Sequence, residues 1–269
     1  MKKGICLLAV CCILLLGLSG CSMGYTYDDA SLYTPGDGSA DPASVHAIEV
    51  DWLDGSVTIQ PYEGELLQFS DNSPYPSDDN LLHHYLDGDT LKIRFCKSYT
   101  FRLSAPEPKD LEVLVPEAYI ENLREISIDT AAASVFVSDL QVENLEISTV
   151  SGEVTIDGTV ENVNVDTTSG NIALSGTFTE IETDTVSGAL TAICTACPQS
   201  FVGDSTSGSF QVTLPADSSF TLEYDSTSGS LVSDFALEED DGTYTVAAGD
   251  GSCKLSFDTV SGDLHLTKR

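Results

Sequence analysis

Seven near-copies of one phrase carry most of the side chains in this sequence that could do chemistry. The phrase is Asp-Thr-x-Ser-Gly set between two stretches of alternating apolar residues. It occurs at Asp129 to Ala133, Ser148 to Gly152, Asp166 to Gly170, Asp184 to Gly188, Asp204 to Gly208, Asp225 to Gly229 and Asp258 to Gly262. Strands stacked about 5 Å apart would align Asp129, Asp166, Asp184, Asp204, Asp225 and Asp258 as a column of mutually repelling carboxylates. Calcium takes about six to eight oxygen ligands, so Asp166, Asp184, Asp204 and Asp225 form a candidate calcium column. Two observations weigh against it. The repeat lacks the Gly-Gly-x-Gly-x-Asp spacing of calcium-binding β-rolls. An outward Asp beside a hydroxyl ladder has a plainer use, bonding the backbone of its own corner.

Cys194-Thr195-Ala196-Cys197 has the spacing of a redox dithiol or half of a zinc site. Thioredoxin chemistry needs a strand-to-helix context, which the β pattern does not provide. Zinc needs two further ligands that His46, His83, His84 and His265 are badly placed to give. A local Cys194–Cys197 disulfide and free thiols are the alternatives left. If rungs stack in chain order, Cys253 lies about 14 Å from Cys194, whereas bridged Cα atoms lie within about 7 Å. Serines and aspartates abound, yet no His lies between His84 and His265, and none stands beside a nucleophile elbow. A solenoid lyase acting on acidic sugars would need bases along its wall, and there are none between Arg124 and Lys254. The sequence therefore predicts no enzyme and no catalytic residues.

Charge narrows the partners. The 269 residues carry 43 Asp and Glu against 11 Lys and Arg, a formal net charge of −32. A surface of one sign repels phosphate backbones, so nucleic acid is excluded as a partner. Hydrophobic residues make up 41% of the chain, enough for a real core.

The elements that position these groups follow from parity, because strand side chains alternate between faces. Val163, Val165, Thr167, Ile172 and Leu174 point inward and Asp166 outward. Inward columns stack Leu145, Val163, Ile181 and Phe201, and Ile156 on Leu174. Thr130, Thr149, Thr167, Thr185, Ser205, Ser226 and Thr259 form a hydroxyl column with successive steps of 19, 18, 18, 20, 21 and 33 residues. Glycine marks each corner as a turn without side-chain penalty. The prediction is an all-β fold: a parallel β-solenoid, right-handed, with two strands per rung of about 18–21 residues and an irregular N-terminal β cap.

Along the chain, residues 45–124 form the cap and first irregular turns, with Trp52 in their core. Residues 125–269 form the regular repeats, 125–231 and 253–269 as consecutive rungs, with an acidic excursion at 232–252. Residues 21–44 are rich in Tyr, Asp, Ser, Gly and Pro and show no apolar period, as expected of a flexible tether. The first twenty residues, with Lys2-Lys3, an apolar run from Ile5 to Leu18 and then Ser19-Gly20-Cys21, resemble a bacterial lipoprotein signal peptide. That resemblance implies removal of residues 1–20 and a diacylglycerol on the thiol of Cys21. The mature chain is then held by lipid at the extracytoplasmic face of a membrane in the cell envelope.

The repeats, the opening Val50-Asp51-Trp52-Leu53-Asp54-Gly55, the strand Leu91 to Phe95 and the closing Asp258 to Leu264 resemble the bacterial putative-adhesin family of β-strand repeat proteins, a domain of unknown function. The resemblance spans roughly residues 45–269. It implies a solenoid on the cell envelope with no catalytic residues and no cofactor to carry over. The expected function is an adhesin-like binding module with an unknown protein or glycan ligand. The alternative is a structural or regulatory envelope protein, a spacer or stress-sensing component.

Overall fold

A computed structural model describes residues 23–73, 77–102, 107–240, 243–246 and 252–269. Two parallel ladders run the length of the stack. The first holds Thr90–Arg94, Ala47–Trp52, Glu125–Thr130, the second halves of Ser134–Thr149, Val154–Thr167 and Ile172–Thr185, then Ser200–Ser205. The second holds Lys109–Pro116, Gly55–Tyr62, the first halves of the same three long strands, then Leu190–Cys194 and Phe210–Leu214. Strict alternation of apolar residues produces this arrangement, since only one face of each strand can be buried. Val163, Val165, Ile172 and Leu174 are all at most 3% exposed. The predicted columns are in register: Leu145 pairs with Val163, Val163 with Ile181, Ile181 with Phe201, and Ile156 with Leu174.

The three long strands continue around their second bend without interruption. Asp139 takes a positive φ of 54° there and Gly176 one of 135°, while Val142, Val160 and Phe178 fill the interior behind the bend. In the next two copies Cys194 to Ser200 and Leu214 to Phe220 replace the tight bend by longer loops. Those extra residues are why the period lengthens from 18 to 20 and 21.

The last rung departs from chain order. Cys253–Thr259 pairs on one side with Ser200–Ser205 and on the other with Phe220–Ser226. Likewise Leu264–Lys268 lies between Phe210–Leu214 and Leu231–Ser233. Residues 253–269 are thus intercalated between two earlier rungs, and the expectation of consecutive stacking is corrected. Packing gives the reason. Leu255, Phe257, Leu264 and Leu266 are all buried, and Phe257 packs on Phe201 and Phe210 with ring centroids 5.1 and 5.0 Å away. Gly203 leaves the room that Phe257 fills. At the positions matching Leu255, Phe257, Leu264 and Leu266, the rung displaced to the end offers Leu222, Tyr224, Leu231 and Ser233, of which Leu222 is buried and the other three are partly exposed. The more apolar rung takes the inner place because that removes more apolar surface from water.

The acidic excursion forms the end cap. Thr243–Val246 pairs antiparallel with Phe220–Ser226, and Leu237–Asp240 pairs antiparallel outside it. The outermost strand of this ladder therefore carries Glu238, Glu239 and Asp240, charges that discourage edge-to-edge association.

At the other end, the described part of the expected tether is folded. Met23–Tyr25 pairs with Thr100–Arg102, Thr34–Pro35 with His83–Asp87, and Gly38–Ala40 with Leu67–Asp71. Tyrosines hold this segment down. The hydroxyl of Tyr25 donates to Asp51 O at 3.0 Å and accepts from Phe95 N at 3.1 Å. The rings of Tyr27, Tyr33 and Tyr85 are in successive contact, and the Arg94 guanidinium lies over Tyr27 and Tyr33. Scattered aromatics anchor a segment through large area and a polar tip without showing any period. Behind them Trp52 is fully buried, its Nε1 donating to Lys109 O at 2.9 Å. Among the described residues no helix is long and apolar enough to cross a membrane.

Candidate functional site

Each corner of the repeat is built by its hydroxyls and its glycine. Oγ1 of Thr149, Thr167, Thr185 and Thr259 accepts the N–H of the glycine three residues on at 2.9–3.0 Å, and Oγ of Ser205 and Ser226 does the same at 2.6 and 2.7 Å. The serine of the motif donates to the rung beneath, Ser169 to Val150 O and Ser187 to Thr168 O at 3.3 Å. Gly170, Gly188, Gly208 and Gly262 are needed for closeness, not for φ: a Cβ on any of them would collide with the carbonyl of the glycine one rung away. The first copy takes Ala133 at this position, where the neighbouring segment is Trp52 to Asp54 and not another motif corner.

With the corner backbone satisfied by hydroxyls, the aspartates are left to the outer face. Parallel register strings them as Asp51, Asp129, Ser148, Asp166, Asp184, Asp204, Asp258 and Asp225, so the intercalation exchanges the last two. Burial holds the Asp166 carboxyl above the usual range, with help from the charges of Glu146 and Glu182. Asp184 is raised by burial and then by Asp166 and Glu182. Asp129 is raised by burial and by Glu146 and Glu49. Asp51 is pushed up to about 6, chiefly by burial, despite the nearby Arg94. These carboxylates stand one per rung, and among the described residues no group of three or more metal-ligating side chains converges to hold an ion. The geometry thus lends the calcium column of Asp166, Asp184, Asp204 and Asp225 no coordination cage.

Beside the aspartates the outer face dips into a shallow groove of about 410 Å³. Its walls are two further columns, Glu125, Asn144, Asn162, Glu180, Ser200 and Glu146, Asn164, Glu182, Val202. Asn162 Nδ2 donates to Asn144 Oδ1 at 2.9 Å, linking the side chains of two adjacent rungs. The groove therefore presents carboxylate and amide acceptors at the spacing of adjacent strands. Reasoning on the motif missed it, because these residues lie one and two outward positions ahead of the Asp and vary in type. The outward alternation Asn162, Asn164, Asp166 was the available signal.

Cys194 is buried, and burial pushes its thiol up to about 12. Cys197 is half-buried, and its thiol lies within hydrogen-bonding reach of Cys253. The expected separation of about three rungs between this segment and Cys253 is overturned by the intercalation. None of Cys96, Cys194, Cys197 and Cys253 is in a disulfide in this structure. His83 and His84 lie in the cap, both held below the usual histidine range by burial. Cys21 and the signal segment 1–20 lie outside the described residues.

The architecture defines an all-β repeat protein built on parallel ladders. More particularly, the chain belongs to the Toastrack family, described as Toastrack DUF4097, whose profile matches residues 45–267. No curated protein matches it significantly. Among solved structures it is similar to a putative cell adhesion protein from Clostridium sporogenes, at 11% identity over 88% of this chain and 100% of that one, TM-score 0.40. A putative adhesin from Bacteroides fragilis matches at 14% identity over 86% of this chain and 95% of that one, TM-score 0.48. A putative lipid binding protein from Parabacteroides distasonis matches at 17% identity over 86% and 96%, TM-score 0.36.

Proposed function

We propose that this protein is a non-catalytic, adhesin-like binding module of the cell envelope, held at a membrane by lipid on Cys21. The wound body is a right-handed solenoid of two strands per rung. The groove carries the proposal. Glu125, Glu146, Glu180 and Glu182 are interspersed with Asn144, Asn162 and Asn164 along a surface of fixed strand spacing. Such a surface accepts hydrogen bonds from a ligand rich in donors, either the hydroxyls of a glycan or the cationic side chains of a protein segment. Repetition along the stack favours an extended ligand that meets several rungs at once.

The test is binding of the purified chain to arrays of cell-wall and host glycans and of cationic peptides. A ligand retained by the native chain and lost by the double variant Glu146→Gln, Glu182→Gln, with an unchanged circular dichroism spectrum, supports the proposal. Retention by the variant, or no ligand on either array, overturns it. For the anchor, Cys21→Ala should move the protein from the membrane fraction to the soluble one; mass spectrometry of an unmodified Cys21 in the mature chain would defeat that part.

A further inference from the structure

The intercalated rung brings together two cysteines that chain order keeps apart. Cys253 opens the inserted strand. Its N–H donates to Ser219 O on one side, and the next residue, Lys254, donates to Gln199 O at 3.0 Å on the other. Cys197 stands two residues before Gln199, in the middle of the loop that leads into Ser200–Ser205. Its thiol lies within hydrogen-bonding reach of that of Cys253, which is buried while Cys197 is half-buried. Cys194, although closer in sequence, points into the core of the preceding strand beside Ala192 and Leu190.

We infer that Cys197 and Cys253 form a disulfide that fastens the intercalated rung, once the chain meets a disulfide oxidant. One cysteine thiolate attacks the oxidant's disulfide, giving a mixed disulfide and releasing one oxidant thiolate. The second cysteine thiolate then displaces the other. Two protein thiols lose two protons and two electrons in total, and one disulfide of the oxidant becomes two thiols. The bridge closes a loop of about 57 residues, counted from Cys197 to Cys253. That loop contains the outer rung, the end-cap hairpin and the return of the chain. Without the bridge, nothing covalent prevents Cys253–Thr259 from sliding out and leaving two open edges. A cross-link of this loop length raises the melting temperature of a domain this size by on the order of 10 °C. Burial also holds the Cys197 thiol high, so the thiolate that starts the exchange is scarce near neutral pH and the oxidation quickens as pH rises.

The experiment uses the purified full chain exposed to oxidised glutathione, then denatured, alkylated and digested with a protease that cuts at Asp. The expected product is a linked peptide pair containing Cys197 and Cys253, with Cys96 and Cys194 alkylated. Reductant should lower the melting temperature of this oxidised form by about 10 °C. Cys197→Ala should remove that response and Cys194→Ala should keep it. Alkylation of both Cys197 and Cys253 at every redox poise, or a peptide linking Cys194 to Cys197, would overturn the inference. Repeating the mapping on protein taken from cells separates the bridge from the envelope location: a bridge formed in vitro and absent in cells sustains the pairing and counts against the location.

Discussion

A threonine or serine at each corner of the stack holds the backbone that follows it, and a glycine lets the next rung come close. These two residues of the motif carry structural cost, and the aspartate does not. Gly170→Ala forces a Cβ into the carbonyl of Gly152 and should destabilise by about 1–3 kcal/mol in urea denaturation, the usual range for overpacking. Thr167→Val keeps the shape but leaves the Gly170 N–H without its acceptor, a loss of about 1–3 kcal/mol. Asp166→Asn should stabilise the fold at neutral pH, because it removes a carboxylate that burial, Glu146 and Glu182 all disfavour. A variant series in which Asn at 166 cost as much as Val at 167 would refute this division of labour. Parity made the inward set around Val163 and Leu174 legible in the sequence. The reason for the glycine was not legible, since close approach between rungs and a positive φ select the same residue.

Among the elements, the cap and the final rung show where periodicity stops being informative. Alternation tells which face of Cys253–Thr259 is buried but not which strands flank it, because every rung of a solenoid presents the same ladder edge. Volume decides, and Phe257 opposite Gly203 is a pairing that only the folded stack reveals. Hydrogen exchange should read the consequence: amides of Leu255 and Phe257 should exchange only through global unfolding, and those of Leu231–Ser233 on the exposed rung by cheaper local opening. Slower exchange at Leu231–Ser233 than at Leu255 would contradict the intercalated order. The segment from Met23 to Ser44 escaped notice for a different reason, since its hold comes from single aromatic contacts. Tyr25→Phe deletes a hydroxyl that bonds both Asp51 O and Phe95 N, and should cost about 1–3 kcal/mol of stability by thermal melting. A free tether would show no change. The buried pair of Lys109 and Asp71, 2.5 Å apart, completes the cap. Lys109→Met would strand the Asp71 carboxylate in the interior, at about 3–5 kcal/mol.

At the scale of the whole molecule, a net charge of −32 places the outer face under self-repulsion that the fold must overcome. The raised carboxyls of Asp51, Asp129, Asp166 and Asp184 fix the sign of the pH dependence. Their folded forms bind protons more tightly than the unfolded chain does. Their contribution to stability is therefore fully present below the ordinary carboxylate range and is lost as pH rises, through a window that extends for Asp51 to about 6. Melting temperature should accordingly rise when pH is lowered from 7 to about 5, opposite to the usual acid destabilisation, and Asp51→Asn should flatten that rise. Salt acts on the same repulsion. Screening over about 8–10 Å at physiological ionic strength reaches across neighbouring rungs, so sodium chloride should also raise the melting temperature. Calcium distinguishes a diffuse field from a built site. A cage would bind the folded state alone and add stability that grows with the logarithm of calcium concentration. One aspartate of the column per rung, with no converging group of ligands among the described residues, provides only the field. Millimolar calcium and sodium chloride of equal ionic strength should then shift the melting temperature alike, and a markedly larger shift with calcium would restore Asp166, Asp184, Asp204 and Asp225 as a cation site.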